Sequence, residues 1–287
     1  MLYIIQQKET RMYQTLISCQ KLHDNLLNRD WLVCDCRYDL QNKAAGHTAY
    51  QQNHILGAIY LDLHDDLSGP PVTNRGRHPL PTNDSIAALF CRLGITPETQ
   101  VVVYDDMSGS FAARMWWMLK HMNHDAVAVL DGGWQAWLAG NYDTTAVESS
   151  RTPCELIYKA KSGDVALMDD VAKVSLLIDS RDGARYRGEI EPIDKAAGHI
   201  PGAKHRFWKE NLTEEGVFKS AEELHKEWKT LLGDMSSDEA VVYCGSGVTA
   251  CHNLLAAFHA GLAMPRLYAG SWSEWSSFLD NPVATSK

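Results

Sequence analysis

Apolar residues along this chain keep two alternating rhythms. Short runs such as Leu32-Val33-Cys34, Val101-Val102-Val103-Tyr104, Leu177-Ile178 and Ala240-Val241-Val242-Tyr243 have the length and Val-rich character of buried strands. Between them, Ala112, Met115, Trp116, Leu119 and Met122 keep the three- and four-residue spacing of a helix buried along one stripe, as do Cys251, Leu254, Leu255, Phe258 and Leu262. Strands alternating with helical segments predict an α/β fold, a mainly parallel sheet with helices on both faces.

The pattern occurs twice. Leu32-Val33-Cys34-Asp35-Cys36-Arg37 returns as Leu177-Ile178-Asp179-Ser180-Arg181, and His54-Ile55-Leu56-Gly57-Ala58 returns as His199-Ile200-Pro201-Gly202-Ala203. Val101 to Tyr104 matches Ala240 to Tyr243, and Asp131-Gly132-Gly133-Trp134 matches Ala269-Gly270-Ser271-Trp272. Landmarks recurring in order, nearly 140 residues apart, mark a duplicated domain. The expected division is one domain over 15–140, a polar linker without periodicity over 141–157, and a second domain over 158–282. The turn-rich stretch from Ser68 to Pro81 reads as a long surface loop.

At 287 residues the length agrees with two domains, and 45% apolar content provides ample core. A net charge of −9 argues against nucleic acid or an anionic membrane as the main partner, since both require a basic surface. Seven cysteines without an even-numbered framework fit a reducing compartment. No apolar stretch is long enough to span a bilayer, and Met1 to Met12 lacks the apolar core of a signal peptide. The expectation is a cytoplasmic protein with a loose extension over those first residues.

The candidate chemistry lies where Ala240 to Tyr243 runs into Cys244-Gly245-Ser246-Gly247-Val248-Thr249-Ala250. A cysteine on a strand-to-helix turn, followed by two glycines, faces consecutive backbone N–H groups and the positive end of a helix, which together favour an anion. There the thiolate is the nucleophile. The run Gly245-Ser246-Gly247-Val248-Thr249-Ala250 also fits the dinucleotide fingerprint, but no Asp or Glu stands between Ala240 and Ser273 to take a ribose hydroxyl. A phosphate-gripping Arg six residues after the cysteine is absent, because that position is Ala250. Cys34 and Cys36, separated by one residue, have no second cysteine pair with which to complete a zinc site. No metal or cofactor is expected. In the first copy the position of Cys244 is taken by Asp105, which cannot carry sulfur, so that copy is expected to be inert and to serve as a wall of the site.

With the tandem repeat, Asp105 and the Cys244 loop in view, the chain resembles the two-domain rhodanese-like sulfurtransferases over nearly its full length. The Cys-Gly-Ser-Gly-Val-Thr-Ala loop is similar to that of the 3-mercaptopyruvate type, whereas the thiosulfate type tends to have Cys-Arg-Lys-Gly-Val-Thr. The resemblance implies a ping-pong reaction in which Cys244 takes sulfur from a small-molecule donor as a persulfide and passes it to cyanide, a thiol or a thioredoxin-like protein. The backbone N–H groups of Gly245, Gly247, Val248 and Thr249 would hold the anionic sulfur. It further implies a proton relay between Ser246 and a first-domain His, which maps to His54, and a carboxylate-binding Arg at Arg185. A second Arg usual after the Glu-Pro pair is replaced by Ile193. 3-Mercaptopyruvate is the expected donor, thiosulfate the alternative, and a monomer the expected state; a non-catalytic binding module ranks below both.

Overall fold

The computed structural model describes residues 12–286. The expected extension over 1–12 lies outside that range except for Met12, which is exposed.

The chain builds β1 (Leu16–Ile17), β2 (Trp31–Asp35), β3 (His54–Ile55), β4 (Ile59–Tyr60), β5 (Gln100–Tyr104), β6 (Val127–Leu130) and β7 (Thr144–Thr145) in its first half. The second half has β8 (Leu176–Asp179), β9 (Lys204–His205), β10 (Ala240–Tyr243) and β11 (Arg266–Leu267). A five-stranded sheet runs β1-β6-β5-β2-β4 and a four-stranded one β11-β10-β8-β9. All pairings within these two sheets are parallel. The exception is the small antiparallel ribbon β3-β7. Helices cover both faces, as the strand–helix alternation requires.

The repeat is visible atom by atom. In the first copy the Asp35 carboxylate receives a fork from Arg37, whose guanidinium reaches on to the Asn53 carbonyl at 2.7 Å and lies over the Trp134 ring. In the second, Asp179 receives Arg181, which reaches the Gly198 carbonyl at 2.6 Å and lies over Trp272. Both pairs are buried, with each carboxylate matched by a bidentate partner, the condition under which a buried charge is tolerated. They pin the strand ends from which the site loops depart.

The helices Ala112–His121 and Ala250–His259, each leading away from a site loop, pack against one another across the domain boundary, with Trp116 and Phe258 ring centroids 6.0 Å apart. One apolar cluster runs through both domains by way of Met115, Trp116, Leu254 and Leu255. Burying each such side chain contributes about 1.5–3 kcal/mol, so the two halves form one continuous core. This explains why Ala112–His121 departs from the one-stripe expectation. All ten of its residues are buried, including Arg114, Lys120 and His121.

The stretch 68–81 is a loop with an exposed middle over 70–75, as its turn-rich sequence predicts, but its ends are buried. It crosses to the second domain, where the Arg77 N–H donates to Ser273 Oγ at 3.1 Å, and both Ser68 and His78 are buried. Proline and glycine predict the absence of helix or strand, and they carry no information about which side of the molecule the loop covers.

Candidate active site

Cys244 follows β10 directly and is 2% exposed. Its N–H donates to Ser271 Oγ at 3.1 Å, while its carbonyl and that of Gly245 accept from Trp272 N–H and Ser273 N–H at 3.0 and 2.9 Å. The loop carbonyls are therefore committed to the helix Ser271–Trp275. Among the described residues, none of the N–H groups from Gly245 to Thr249 donates a hydrogen bond. Gly247 has φ +76°, and a Cβ there would run into the Ala269 backbone, so this turn requires glycine. A run of unpaired amides at a helix start is a receptor for an anion.

The first copy shows the same receptor filled. The buried Asp105 carboxylate accepts from the N–H groups of Met107, Gly109, Phe111 and Ala112 at 2.7–2.8 Å. Burial pushes this carboxyl up, and the four amides oppose that shift. Asp105 also lacks a thiol, so the first copy has neither the nucleophile nor a free receptor.

Cys244 opens into a cleft of ≈ 310 Å³ between the domains, bordered by Arg77, His78 and Phe111 from the first and by Arg185, Trp208 and Ser246 from the second. Ser246 Oγ lies 2.9 Å from Nδ1 of His78. Burial, and after it the Arg114 and Arg77 charges, lower the His78 imidazole to about 3, so it is neutral at physiological pH, a hydrogen-bond partner through which Ser246 can relay a proton. Arg185 donates to Glu191 Oε1 at 2.7 Å and to Asp194 Oδ2 at 3.0 Å; Asp194 also pairs with Arg77. Arg77 Nη2 and Arg185 Nη1 donate to no described residue, and a Cβ on Gly245 would lie 3.0 and 3.5 Å from them. Two guanidinium ends thus converge beside the thiol.

Of the residues expected from sequence, Cys244, Gly245, Ser246, Gly247, Val248, Thr249 and Arg185 gather in this place. His54 does not. It is fully buried in β3, stacked on Tyr50, with Nδ1 2.6 Å from the Tyr50 carbonyl and Nε2 3.1 Å from that of Val147. Its repeat partner His199 stacks on Tyr186 and meets the Tyr186 carbonyl at 2.7 Å in the same way. The histidine beside Ser246 is His78. The visible signal for it was three basic groups, Arg75, Arg77 and His78, in a loop of turn residues; nothing in the repeat points to them, because the corresponding loop of the second copy, 206–220, has no histidine. Arg77 borders the same cleft as Ile193 and brings it a second guanidinium. Cys251 is buried, donates to the Gly247 carbonyl at 3.4 Å and is pushed by burial to about 12, which leaves it unreactive. Cys34 and Cys36 lie in the first-domain core.

Among the described residues no group of three or more His, Cys, Asp or Glu side chains is placed to hold a metal ion, and no helix is long and apolar enough to cross a membrane.

The rhodanese-like domain model matches residues 18–140 and again 164–278. A probable 3-mercaptopyruvate sulfurtransferase of Pseudomonas aeruginosa is 45% identical over 94% of this chain and 98% of its own length. A thiosulfate sulfurtransferase of Cricetulus griseus is 34% identical over 92% of each chain. Among solved structures, 3-mercaptopyruvate sulfurtransferase from Leishmania major superposes with a TM-score of 0.84 at 31% identity, over 94% of this chain and 76% of that one. The duplicated parallel sheet, the anion receptor kept open beside Cys244 and closed by Asp105, and these likenesses over almost the whole chain establish it as a member of the rhodanese-like domain family, with two such domains in tandem.

Proposed function

We propose that this protein is a sulfurtransferase that takes sulfur from 3-mercaptopyruvate and delivers it, through a persulfide on Cys244, to a thiol or cyanide. The observation that carries the reading is the set of unpaired amides from Gly245 to Thr249 around Cys244, with the Ser246–His78 couple and two guanidinium ends beside them.

The donor's carboxylate meets Arg77 Nη2 and Arg185 Nη1, which places its sulfur at Cys244. The Cys244 thiolate attacks that sulfur; the new S–S bond forms as the donor's C–S bond breaks, and the bonding pair moves into the carbon fragment as an enolate of pyruvate. Ser246 donates to the developing enolate oxygen, and with His78 it relays to the enolate carbon the proton that the donor's thiol gives up as the persulfide becomes anionic, which completes pyruvate. The anionic terminal sulfur of the persulfide rests on the loop amides. An acceptor thiolate then attacks it, leaving as a persulfide and restoring the Cys244 thiolate.

The boundaries 15–140, 141–157 and 158–282 give the first domain as an inactive wall and the second as the catalytic one. All seven cysteines are free, which suits a cytoplasmic monomer whose acceptor is a small thiol or a reduced thioredoxin-like protein. Thiosulfate is the second reading, favoured by the same two guanidinium ends, which also suit a dianion.

Intact mass after donor treatment tests the persulfide: a gain of about 32 Da, one sulfur on a reactive thiolate, is expected in the native chain and not in Cys244→Ser. Steady-state kinetics with both donors tests the substrate. A higher kcat/KM for thiosulfate overturns the choice of 3-mercaptopyruvate.

A further inference from the structure

The helix Ala112–His121 carries a guanidinium that the reaction described above does not use. Arg114 is 0% exposed. Its Nε donates to the Leu67 carbonyl at 3.2 Å, Nη1 to the Gly247 carbonyl at 3.0 Å, and Nη2 to the carbonyls of His78 and Pro79 at 3.2 and 3.3 Å. It forms no ion pair with a carboxylate, whereas Arg37, Arg181 and Arg206, the other buried arginines among the described residues, all do. Its Nη1 shares the Gly247 carbonyl with the Cys251 thiol, in the loop that begins at Cys244, and these two thiols are the acidic groups that act on its charge. Cys251 is held protonated by burial.

An uncompensated charge this deeply buried costs several kcal/mol, and four carbonyl dipoles offset part of that cost. The same helical position in the second copy is His252, a ring that burial keeps neutral and that meets Asn211 in its own domain and the Ser108 carbonyl of the first at 3.1 Å. The charge is therefore not demanded by the fold, which accepts a neutral side chain there. Both side chains reach across the domain boundary, and what distinguishes Arg114 is its charge and its fork. It holds the His78 segment of the first domain and the Gly247 turn of the second on one planar fork, so it fixes the separation across which Ser246 meets His78.

We infer that Arg114 is a positioning residue for the sulfur-transfer site: it assembles the site from two domains, and its buried charge is matched by the anionic sulfur of Cys244. The inference rests on Cys244 as the sulfur carrier. Arg77 and Arg185 also lie near that sulfur, His78 and Cys251 are its neutral neighbours, and Arg114 differs from the two other arginines in having no carboxylate to share its charge.

The test is the rate at which iodoacetamide alkylates Cys244 at pH 7, read by mass at that residue, in the full chain and in Arg114→Gln and Arg114→Lys. Gln keeps donors for the carbonyls and loses the charge; Lys keeps the charge and loses the fork. Alkylation about tenfold slower in Gln, with Lys within about twofold of the native rate, is the expected result. Should Gln fail to fold by thermal melting, Arg114→Met takes its place. In Lys, 3-mercaptopyruvate turnover should lose kcat about tenfold with KM nearly unchanged, since the fork no longer sets the His78 segment while Arg77 and Arg185 remain. Native alkylation rates in a folded neutral variant, or an equal fall in Lys and Gln, overturn the inference. Alkylation requires no sulfur donor, so the result stands even if mercaptopyruvate proves not to be the substrate.

Discussion

Ser246 Oγ and His78 Nδ1 lie 2.9 Å apart although the two residues come from different domains. The couple gives a direct prediction. His78→Gln should lower kcat with 3-mercaptopyruvate by about a hundredfold, the scale of a lost proton relay, because the pyruvate enolate must gain a proton. Thiosulfate turnover should change by only a few-fold, since its leaving group, sulfite, requires none. Equal losses with both donors would contradict the assignment.

His54→Asn should behave in the opposite manner. The ring stacked on Tyr50 and joined to two carbonyls supports β3, so thermal stability should drop by about 1–3 kcal/mol, with kcat/KM within a few-fold of native. A melting curve and one kinetic series on the same preparation check both halves.

Arg185→Ala and Arg77→Ala should each raise KM for 3-mercaptopyruvate about ten- to a hundredfold, with less change in kcat, as expected for groups that hold a ground-state carboxylate. The methyl ester of the donor should be insensitive to both substitutions. Sensitivity of the ester would show that these side chains act elsewhere than on the carboxylate.

Stability should fall in acid. Burial lowers His78 and His252 to about 3, against 6.5 for an ordinary histidine. His252 meets Asn211 at Nδ1 and the Ser108 carbonyl at Nε2, an arrangement that suits the neutral ring. Between pH ~6.5 and ~3 the unfolded chain therefore binds more protons than the folded one, and stability declines as pH falls, by up to about 1.4 kcal/mol per unit for each ring. Urea midpoints at pH 7.5, 6 and 5 measure this, and His252→Gln should flatten the slope by about half. A midpoint constant from pH 7.5 to 5 would refute it.

Asp105→Ala should cost about 3 kcal/mol, because four buried amides lose their partner at once. Denaturant unfolding measures the loss, and a change below 1 kcal/mol would show that the receptor relaxes when emptied.

Much of this molecule was legible in the order of its residues. The repeated Asp-x-Arg strand ends, the Val-rich strands and the Cys244 turn are each local, so spacing and side-chain type suffice to find them. His78, Arg77 and Arg114 were not legible in that way. Their roles come from meeting another domain across 117 to 168 residues of sequence, and neither proline in a loop nor a helical stripe records a partner so distant. His54 misled for a related reason: it shares its motif with His199, and the repeat marks what both copies need for folding rather than what one copy uses for chemistry.

The four amide bonds to Asp105 give the first domain a ligand it can never release. A carboxylate tethered to the receptor by its own backbone is present at an effective concentration no free anion can approach, so no sulfur oxyanion or persulfide will compete for that place. The half without a thiol is in this sense locked in the occupied state of its sister, and that permanence suits it to be the fixed side of a cleft whose other side must fill and empty once in every cycle.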